Sequence, residues 1–499
     1  MKYIIVTIWG IELGRLAYNP HSRQCLFSFN PGLKEKRPDI SPLLLPLERW
    51  QNHQIAYGDD RRIYQNLPPF IADSLPDSWG NKLFEQWAKQ NKLSRRNITP
   101  LYKLMFIGSR GMGALEFEPA AKGLEHTQSV DIKSLHELSL KILNEREDVS
   151  ILPDEELTMH TLLSVGTSAG GRQTKAIIAI NRETGEIRSG QINNLDGYDY
   201  YLLKFEDEQL PTAEIEMAYY DMATSAGIIM EECSLRNIAG TNHFLTRRFD
   251  RKNGEKIHMQ TLAAINPDAT SYEDLFNTCR QLNLSEAEIE QVFRRLVFNV
   301  IANNTDDHNK NFSFLLEKDG RWTLSPAYDV TFIFNRFGSD AETDRCMSIA
   351  GKYRDITKAD LIVIGRENGI HGSERIIDSI AESIKGYPAL ADKYSIQPRW
   401  SNIIRSALKQ RLTEFGYQDM LTPVIQTITD EAGRIFQDIQ VSLNTKNHYV
   451  VSASIDGKAS RRFIRPNMSL YETFQRYIFA ELSSEEQLKI LSELFPYNN

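Results

Sequence analysis

Cysteine is scarce in this chain. Four residues, Cys25, Cys233, Cys279 and Cys346, are scattered over 499 positions and none stands in a Cys-x-x-Cys pair. A disulfide framework and a thiolate zinc site are therefore not expected. Long apolar runs are also missing. The N-terminal MKYIIVTIWGIELGRL is interrupted by Glu12 and Arg15, and has neither the length of a spanning helix nor the shape of a signal peptide. The expectation is a cytoplasmic protein without membrane contact. An excess of positive charge is absent too. The formal charge of -8 argues against a non-specific nucleic-acid binder. No GxxxxGK[ST] and no HExxH occurs, which removes the signatures of P-loop and zincin chemistry. There is no internal repeat and no low-complexity run. What remains is a globular composition, 41% apolar and 25% charged, on a chain long enough for two or more domains.

The pattern along the chain predicts an α+β protein. Residues 2–30 alternate and turn like a β-hairpin or meander. The segment PPFIADSLPDSWGNKLFEQWAKQ (68–90) holds a turn and then a helix that Asp77 or Ser78 can cap. A helix, a glycine-rich break and a strand follow in LYKLMFIGSRGMGALEFE (101–118), completing a small module over residues 1–120. Residues 121–250 read as a charged, partly helical connector, then strand, loop, strands, helix and two strands. TAEIEMAYYDMATSAGI (212–228) is the helix, ending at Gly227. Residues 251–445 turn helical. SEAEIEQVFRRLVFNVIANN (285–304) carries a Ser285/Glu288 capping box. Two short strands around Lys318-Asp319-Gly320 come next, and 356–446 is predicted to be mostly helix. Residues 446–499 read as an appendage of extended chain and two helices, with Arg461, Arg462 and Arg465 clustered.

The chemistry gathers at Asn304–Phe312 (NTDDHNKNF) and at Pro326–Asp329 (PAYD). Asp306, Asn311 five residues on, and Asp329 beyond a hairpin follow the order that protein kinases use for the groups acting on the attacking hydroxyl and on Mg²⁺. Hard oxygen ligands suit Mg²⁺. A plain polar turn capping the preceding helix would show the same residue types. Lys204 ends an apolar strand and Glu216 lies on the next helix, the order of a strand lysine and its helix glutamate in a kinase. Taken alone, such a lysine is a surface residue. The loop GTSAGGRQTK precedes both, and its small residues Ser168, Ala169, Gly170 and Gly171 let backbone N–H groups approach phosphate. Taken alone, it is an ordinary turn. His308 reads as a loop-holding group rather than a catalytic one, and Lys310 is placed to meet a γ-phosphate.

The texts GTSAGGRQTK, YLLKFE, EMAYYDMATSAGI, FLTRRFDR, NTDDHNKNFS and LSPAYDV, with SLPDSWGN and IGSRGMGALEFEP before them, resemble the HipA family of bacterial serine/threonine kinases over residues 1–440. The resemblance implies a bilobal protein-kinase-like fold with a small N-terminal α+β subdomain and a mostly helical C-terminal lobe. It implies ATP and Mg²⁺ as cofactors. Asp306 would be the catalytic base, with Lys310 and Asn311 beside it, and Asn311 and Asp329 would bind the metal. The nucleotide would be held by the loop with Arg172, by Lys204 with Glu216, by Arg248 and Phe249 near the adenine, and by His308. Ser168 matches the serine that the family autophosphorylates. The implied action is that of a type II toxin that phosphorylates a protein, glutamyl-tRNA synthetase or another aminoacyl-tRNA synthetase. A small helix-turn-helix antitoxin of HipB type would be the partner, and DNA would be met only through it. The loop text SAGGRQTK departs from the family's usual one, with Arg172 an added cation, and 446–499 runs past the usual family end. A regulatory protein on a kinase scaffold and a small-molecule kinase are the alternative readings.

Overall fold

The computed structural model describes residues 3–33, 38–47, 55–122, 124, 130–144, 155–166, 173–192, 195–206, 210–417, 425–429, 435–443, 449–455 and 458–463. One compact unit spans Met1–Trp400 and a second spans Ser401–Asn499.

The first unit opens with the strands β1 (Tyr3–Ile8), β2 (Ile11–Asn19), β3 (Gln24–Phe29) and β4 (Ile55–Tyr57). β1 shows why the segment is a strand: Ile4, Val6 and Ile8 are buried at a period of two, while Tyr3 is exposed. Trp9 and Gly10 both take positive φ, the requirement of a tight two-residue hairpin of the primed type. The helices α1 (Pro69–Ala72), α2 (Ser78–Gln90) and α3 (Pro100–Ile107) follow, then β5 (Leu115–Glu118), which joins β1 to give the antiparallel order β4-β3-β2-β1-β5. The predicted cap of α2 is present, since Asp77 accepts a hydrogen bond from the Gly80 N–H at 2.6 Å. Phe27, Phe29 and Phe70 pack edge-to-face or stacked in the core of this module.

The helices α4 (Ile132–Asn144) and α5 (Glu156–Val165) lead to a second sheet. Its strands are β6 (Lys175–Asn181), β7 (Ile187–Ser189), β8 (Tyr198–Lys204), β9 (Cys233–Ile238) and β10 (Thr241–Arg247), in the order β7-β6-β8-β10-β9. The helix α6 (Thr212–Ser225) connects β8 to β9, and Gly227 beyond it takes φ +76°. The sheet and α6 form the upper lobe.

The lower lobe begins with the two-stranded β11 (Arg251–Lys252) and β12 (Glu255–Lys256), then β13 (His258–Thr261) and the helices α7 (Leu262–Ile265), α8 (Tyr272–Gln281) and α9 (Glu286–Ile301). The capping box of α9 is formed as predicted: Ser285 Oγ accepts from the Glu288 N–H, and the Glu288 carboxylate accepts from the Ser285 N–H. Ile289, Val292, Phe293, Leu296, Val297, Val300 and Ile301 make α9 the buried axis of this lobe. β14 (Ser313–Leu316) and β15 (Trp322–Leu324) complete a β13-β14-β15 sheet; beyond it α11 (Ser373–Lys385) packs on α9 and α6, with α10 (Lys358–Glu367) against α11 and α12 (Tyr387–Lys393) against α6. The architecture is mixed α+β, with sheets toward the N-terminus and a helix-rich region after residue 251, as the sequence predicts. Among the described residues no helix is long and apolar enough to cross a membrane.

The second unit holds most of α13 (Pro398–Glu414) and a four-stranded antiparallel sheet of β16 (Ile425–Thr429), β17 (Ile435–Leu443), β18 (Tyr449–Ile455) and β19 (Lys458–Phe463). Residues 356–446 are expected to be mostly helix, and within that stretch Ile425–Thr429 and Ile435–Leu443 are strands instead. The signal is a period of two: Ile439, Val441 and Leu443 alternate with Gln440 and Ser442. The sheet joins strands on both sides of residue 446, since β17 pairs with β18. Arg461 and Arg462 lie on β19. Arg465 and the two expected helices after it lie outside the described residues.

Candidate active site

Between the upper sheet and the lower lobe lies a cleft of about 770 Å³, open mouth included. Lys175, Lys204 and Glu216 line it from above, and Asp306, His308, Asn311 and Asp329 from below. Residues far apart in sequence thus meet, because two strands, one helix and two loops end there.

The sheet places both lysines. Lys175 opens β6 and Lys204 ends β8, and the two are directly paired across the antiparallel ladder. The same-face neighbours of a register pair stand close, so two ammonium groups are delivered together. Lys204 Nζ lies 2.5 Å from Glu216 on α6 and also donates to Asp329. Burial works against the Lys204 charge, but Asp329 and Glu216 outweigh it and hold the ammonium above its ordinary range. Burial likewise acts to raise Asp329, and Lys204 and Lys175 overcome it, so that carboxyl sits below the usual range. For Glu216 burial dominates over Lys204 and the carboxyl is raised. Asp329 also takes φ +53°, a left-handed conformation that aspartate tolerates better than most residues and that aims its side chain back at Lys204.

The lower wall is built on the end of α9. Asn303 adopts φ +56° just past the helix and turns the chain. Asp307 is then driven inward: its oxygens accept from Tyr272 Oη at 2.8 Å, from Arg345 Nη1 at 2.8 Å and from the Cys346 N–H at 3.0 Å. Asp306 faces the cleft with 54% of its side chain exposed. The Asp306 carboxylate meets Cys346 Sγ at 3.6 Å and His308 Nε2 at 3.9 Å. Burial together with Asp306 and Asp307 pushes the Cys346 thiol up to about 12, so it remains a donor to Asp306. Asn311 Nδ2 donates to the Asp306 carbonyl at 2.7 Å, which leaves its Oδ1 as the group able to ligate a cation. His308 Nδ1 accepts from the Lys310 N–H at 3.3 Å, so this side chain both holds the loop and lines the cleft.

Three expected site residues are placed elsewhere. Arg248 is buried and turned to Asp250 through two hydrogen bonds of 2.8 Å and to the Gly190 carbonyl. Phe249 packs against the Tyr328 ring at 5.7 Å. The Lys310 side chain is exposed, with its charge felt by Asp73. None of the three lines the cleft. Ser168, Ala169, Gly170, Gly171 and Arg172 lie outside the described residues. Gln173 and Lys175, near the end of GTSAGGRQTK, are cleft residues to which the sequence reading gives no role. The signal available for them is a lysine entering an otherwise apolar strand.

The cleft suits a phosphate-bearing ligand with a hard cation. Two lysines line it on one side, able to meet phosphate charge, and Asn311 and Asp329 offer oxygen donors on the other. Among the described residues no group of three or more His, Cys, Asp or Glu could hold a metal alone. Mg²⁺ sites that rely on one or two protein ligands and on the ligand's own phosphates have that character.

The chain is similar to a putative kinase of Haemophilus influenzae, 29% identical over 36% of this chain, and spans 56% of that relative's length. It is 22% identical to the putative kinase Y4mE of Sinorhizobium fredii over 57% of this chain and 70% of that one. Among solved structures, it resembles HipA from a Shewanella oneidensis toxin–antitoxin system, solved with HipB and operator DNA. The TM-score is 0.56 at 15% identity, covering 82% of this chain and 96% of that one, a likeness of fold with the kinase-like two-lobed arrangement. The model of the HipA N-terminal domain matches residues 4–118 and that of the HipA-like C-terminal domain matches 167–387, together about two thirds of the chain. By both of these domains, in the family's order, the chain belongs to the HipA family.

Proposed function

We propose that this protein is an ATP- and Mg²⁺-dependent serine/threonine-protein kinase of HipA type. The observation that carries the reading is the convergence of Lys204, Glu216 and Asp329 with Asp306 and Asn311 on one cleft. Bound ATP with its metal supplies the transferable phosphoryl group and neutralises part of its charge. Asn311 and Asp329 would hold the metal. Lys204, fixed by Glu216, would meet the phosphates, with Lys175 beside it. Asp306 is exposed to the cleft while its backbone is pinned by Asn311, so it is free to take the proton of an incoming hydroxyl. Ser168 stands as the autophosphorylation site, where two added negative charges would repel bound phosphates. Membership of the HipA family, and the likeness to a Shewanella HipA that was solved with HipB and operator DNA, support a toxin role, a HipB-type antitoxin as partner and DNA contact through it. A protein hydroxyl, an aminoacyl-tRNA synthetase by the family's pattern, is the proposed acceptor.

The test is phosphate transfer by the purified chain to itself and to a cell lysate, with ATP and Mg²⁺. Incorporation is expected from the wild type and not from Asp306→Ala or Asp329→Ala. A wild type that binds ATP yet phosphorylates neither would favour the scaffold reading, and phosphate appearing on metabolites alone would favour a small-molecule kinase.

A further inference from the structure

The segment Asp73-Ser-Leu-Pro-Asp77 belongs to the N-terminal module, yet its two carboxylates point into different lobes. Asp77 Oδ2 lies 3.2 Å from Lys175 Nζ, with the lysine side chain 2% and the aspartate 8% exposed. Two residues on, the Trp79 indole N–H donates to the Lys175 carbonyl at 3.0 Å. The start of β6 is thus held by both its backbone and its ammonium. Asp73, at the end of α1, accepts from the Thr261 N–H and from Thr261 Oγ1, both at 2.7 Å. Thr261 is paired with Ser313, and the next two residues hydrogen-bond the loop that carries Asn311. The Leu262 N–H donates to Phe312 O at 2.7 Å, and the Ala263 N–H to Asn309 O at 3.1 Å. Tyr64 Oη adds a bond to the Ala263 carbonyl at 2.7 Å.

We infer that Asp73 and Asp77 are positioning residues through which the N-terminal module sets the two walls of the cleft, Asp77 orienting Lys175 on the nucleotide side and Asp73 anchoring the loop of Asn309–Phe312 on the transfer side. A lysine this deeply buried needs a fixed partner to keep a single geometry, because a long flexible stem otherwise spreads the charge over many rotamers. Glu216 and Asp329 are engaged by Lys204, so Asp77 is the carboxylate bonded to Lys175. The loop side is short backbone held at both ends, where a displacement of about 1 Å is enough to cost a reacting geometry. The inference rests on the kinase reading, and it assigns the N-terminal module a direct part in that site.

The experiment uses the full chain. Equilibrium binding of ATP with Mg²⁺ is measured by calorimetry for wild type, Asp77→Asn, Lys175→Met and the double variant. Asn caps α2 as well as Asp does, so Asp77→Asn removes the charge and keeps the helix start. The expected result is a loss of affinity of about tenfold in Asp77→Asn, the order set by one charge-assisted hydrogen bond, and no further loss when it is added to Lys175→Met. Asp73→Ala is expected to lower transfer at saturating ATP about tenfold with ATP affinity unchanged, as for a misplaced reacting loop. Asp73→Asn serves if the alanine variant lowers the folded fraction. Unchanged affinity in Asp77→Asn, multiplicative losses in the double variant, or an affinity loss without a rate loss in the Asp73 variants would each overturn the inference. A wild type that binds no ATP would instead overturn the kinase reading beneath it.

Discussion

At the upper wall of the cleft the buried Lys204 is bonded both to Glu216 and, across the cleft, to Asp329, while on the lower wall Asp306 stands more than half exposed with weak partners only. The upper wall is a fixed arrangement of charge. Its groups could not change protonation without stranding a neighbour. The lower wall separates the two duties within one dipeptide, with Asp307 committed to structure and Asp306 left available. On the proposed kinase reading, the difference divides the site into a part that holds and a part that works: full bonding suits a positioning charge, and exposure over a pinned backbone suits a reacting one.

The sharpest way to break this comparison is to exchange the fates of the two aspartates. Asp306→Ala is expected to lower phosphoryl transfer by about 10²–10⁴-fold, the usual contribution of a general base. Its unfolding free energy should stay within about 0.5 kcal/mol of wild type, as for other exposed positions. Asp307→Ala should do the opposite in kind. It leaves Arg345 buried at 1% exposure without its carboxylate, a loss of about 3–5 kcal/mol. Transfer assays normalised to folded protein, beside denaturant titrations, separate the two. Equal destabilisation by both variants would dissolve the distinction.

Next in size is the upper wall. Lys204→Met leaves two carboxylates facing each other across a buried site. ATP binding should vanish and stability fall by about 3 kcal/mol. Adding Glu216→Gln should then recover part of that stability, because the repulsion goes with the charge. Additive losses in the double variant would mean that the pair is not coupled in the way the geometry requires.

A third prediction concerns the cap that orients α6, the helix carrying Glu216. Glu206 accepts from the Thr212 and Ala213 N–H groups, both at 2.7 Å, and its backbone is bonded to His243 and His136. Burial outweighs these bonds, and with Glu214 nearby it raises the carboxyl to about 8. A carboxyl raised on folding binds its proton more tightly in the native state. Its stabilising contribution is complete below the unfolded value near 4.5 and is lost as pH rises through about 8. His243 moves the other way, lowered to about 4 by burial and by His136, so its contribution fades as pH falls below 6.5. Denaturant titrations from pH 5 to 9 should therefore show a wild-type stability that declines more steeply above pH 6.5 than that of Glu206→Gln. Parallel profiles would show that Glu206 is ionised throughout.

How much of this is legible in the sequence depends on range along the chain. The capping box of α9, the hairpin β14–β15 and the order Lys204 then Glu216 are local patterns, and the structure forms them. The strands β16 and β17 escape a sequence reading because β-branched residues in a polar context give a weak period of two, which the surrounding helices mask. The family resemblance puts Arg248 near the nucleotide, but Asp250 two positions on takes its guanidinium. Lys175 and Asp77 are separated by 98 positions, and Asp73 and Thr261 by 188. Neither pair has a spacing signature, so only the packing of the N-terminal module on both lobes reveals them.

The smallest expected effect tests whether the lower wall is tied to the far end of its helix. Ser285 and Glu288 cap α9, and Glu288 Oε1 also accepts from the Leu324 N–H at 2.8 Å. The helix then runs sixteen residues, about 24 Å at the usual rise, before the turn that delivers Asp306. Ser285→Ala removes one acceptor from the N-terminal N–H groups and should cost about 1 kcal/mol. Transfer per folded molecule should not change, because the Asp306 side of the turn is fixed by its own bonds: Asn311 to the Asp306 carbonyl, and Arg345 to Asp307 and to the Asn299 carbonyl. Those contacts would hold the loop even if the first turn frayed. A rate that dropped with the cap, at an unchanged folded fraction, would show that α9 transmits its register to Asp306, and that the working wall is less independent of the helix than its local bonding implies.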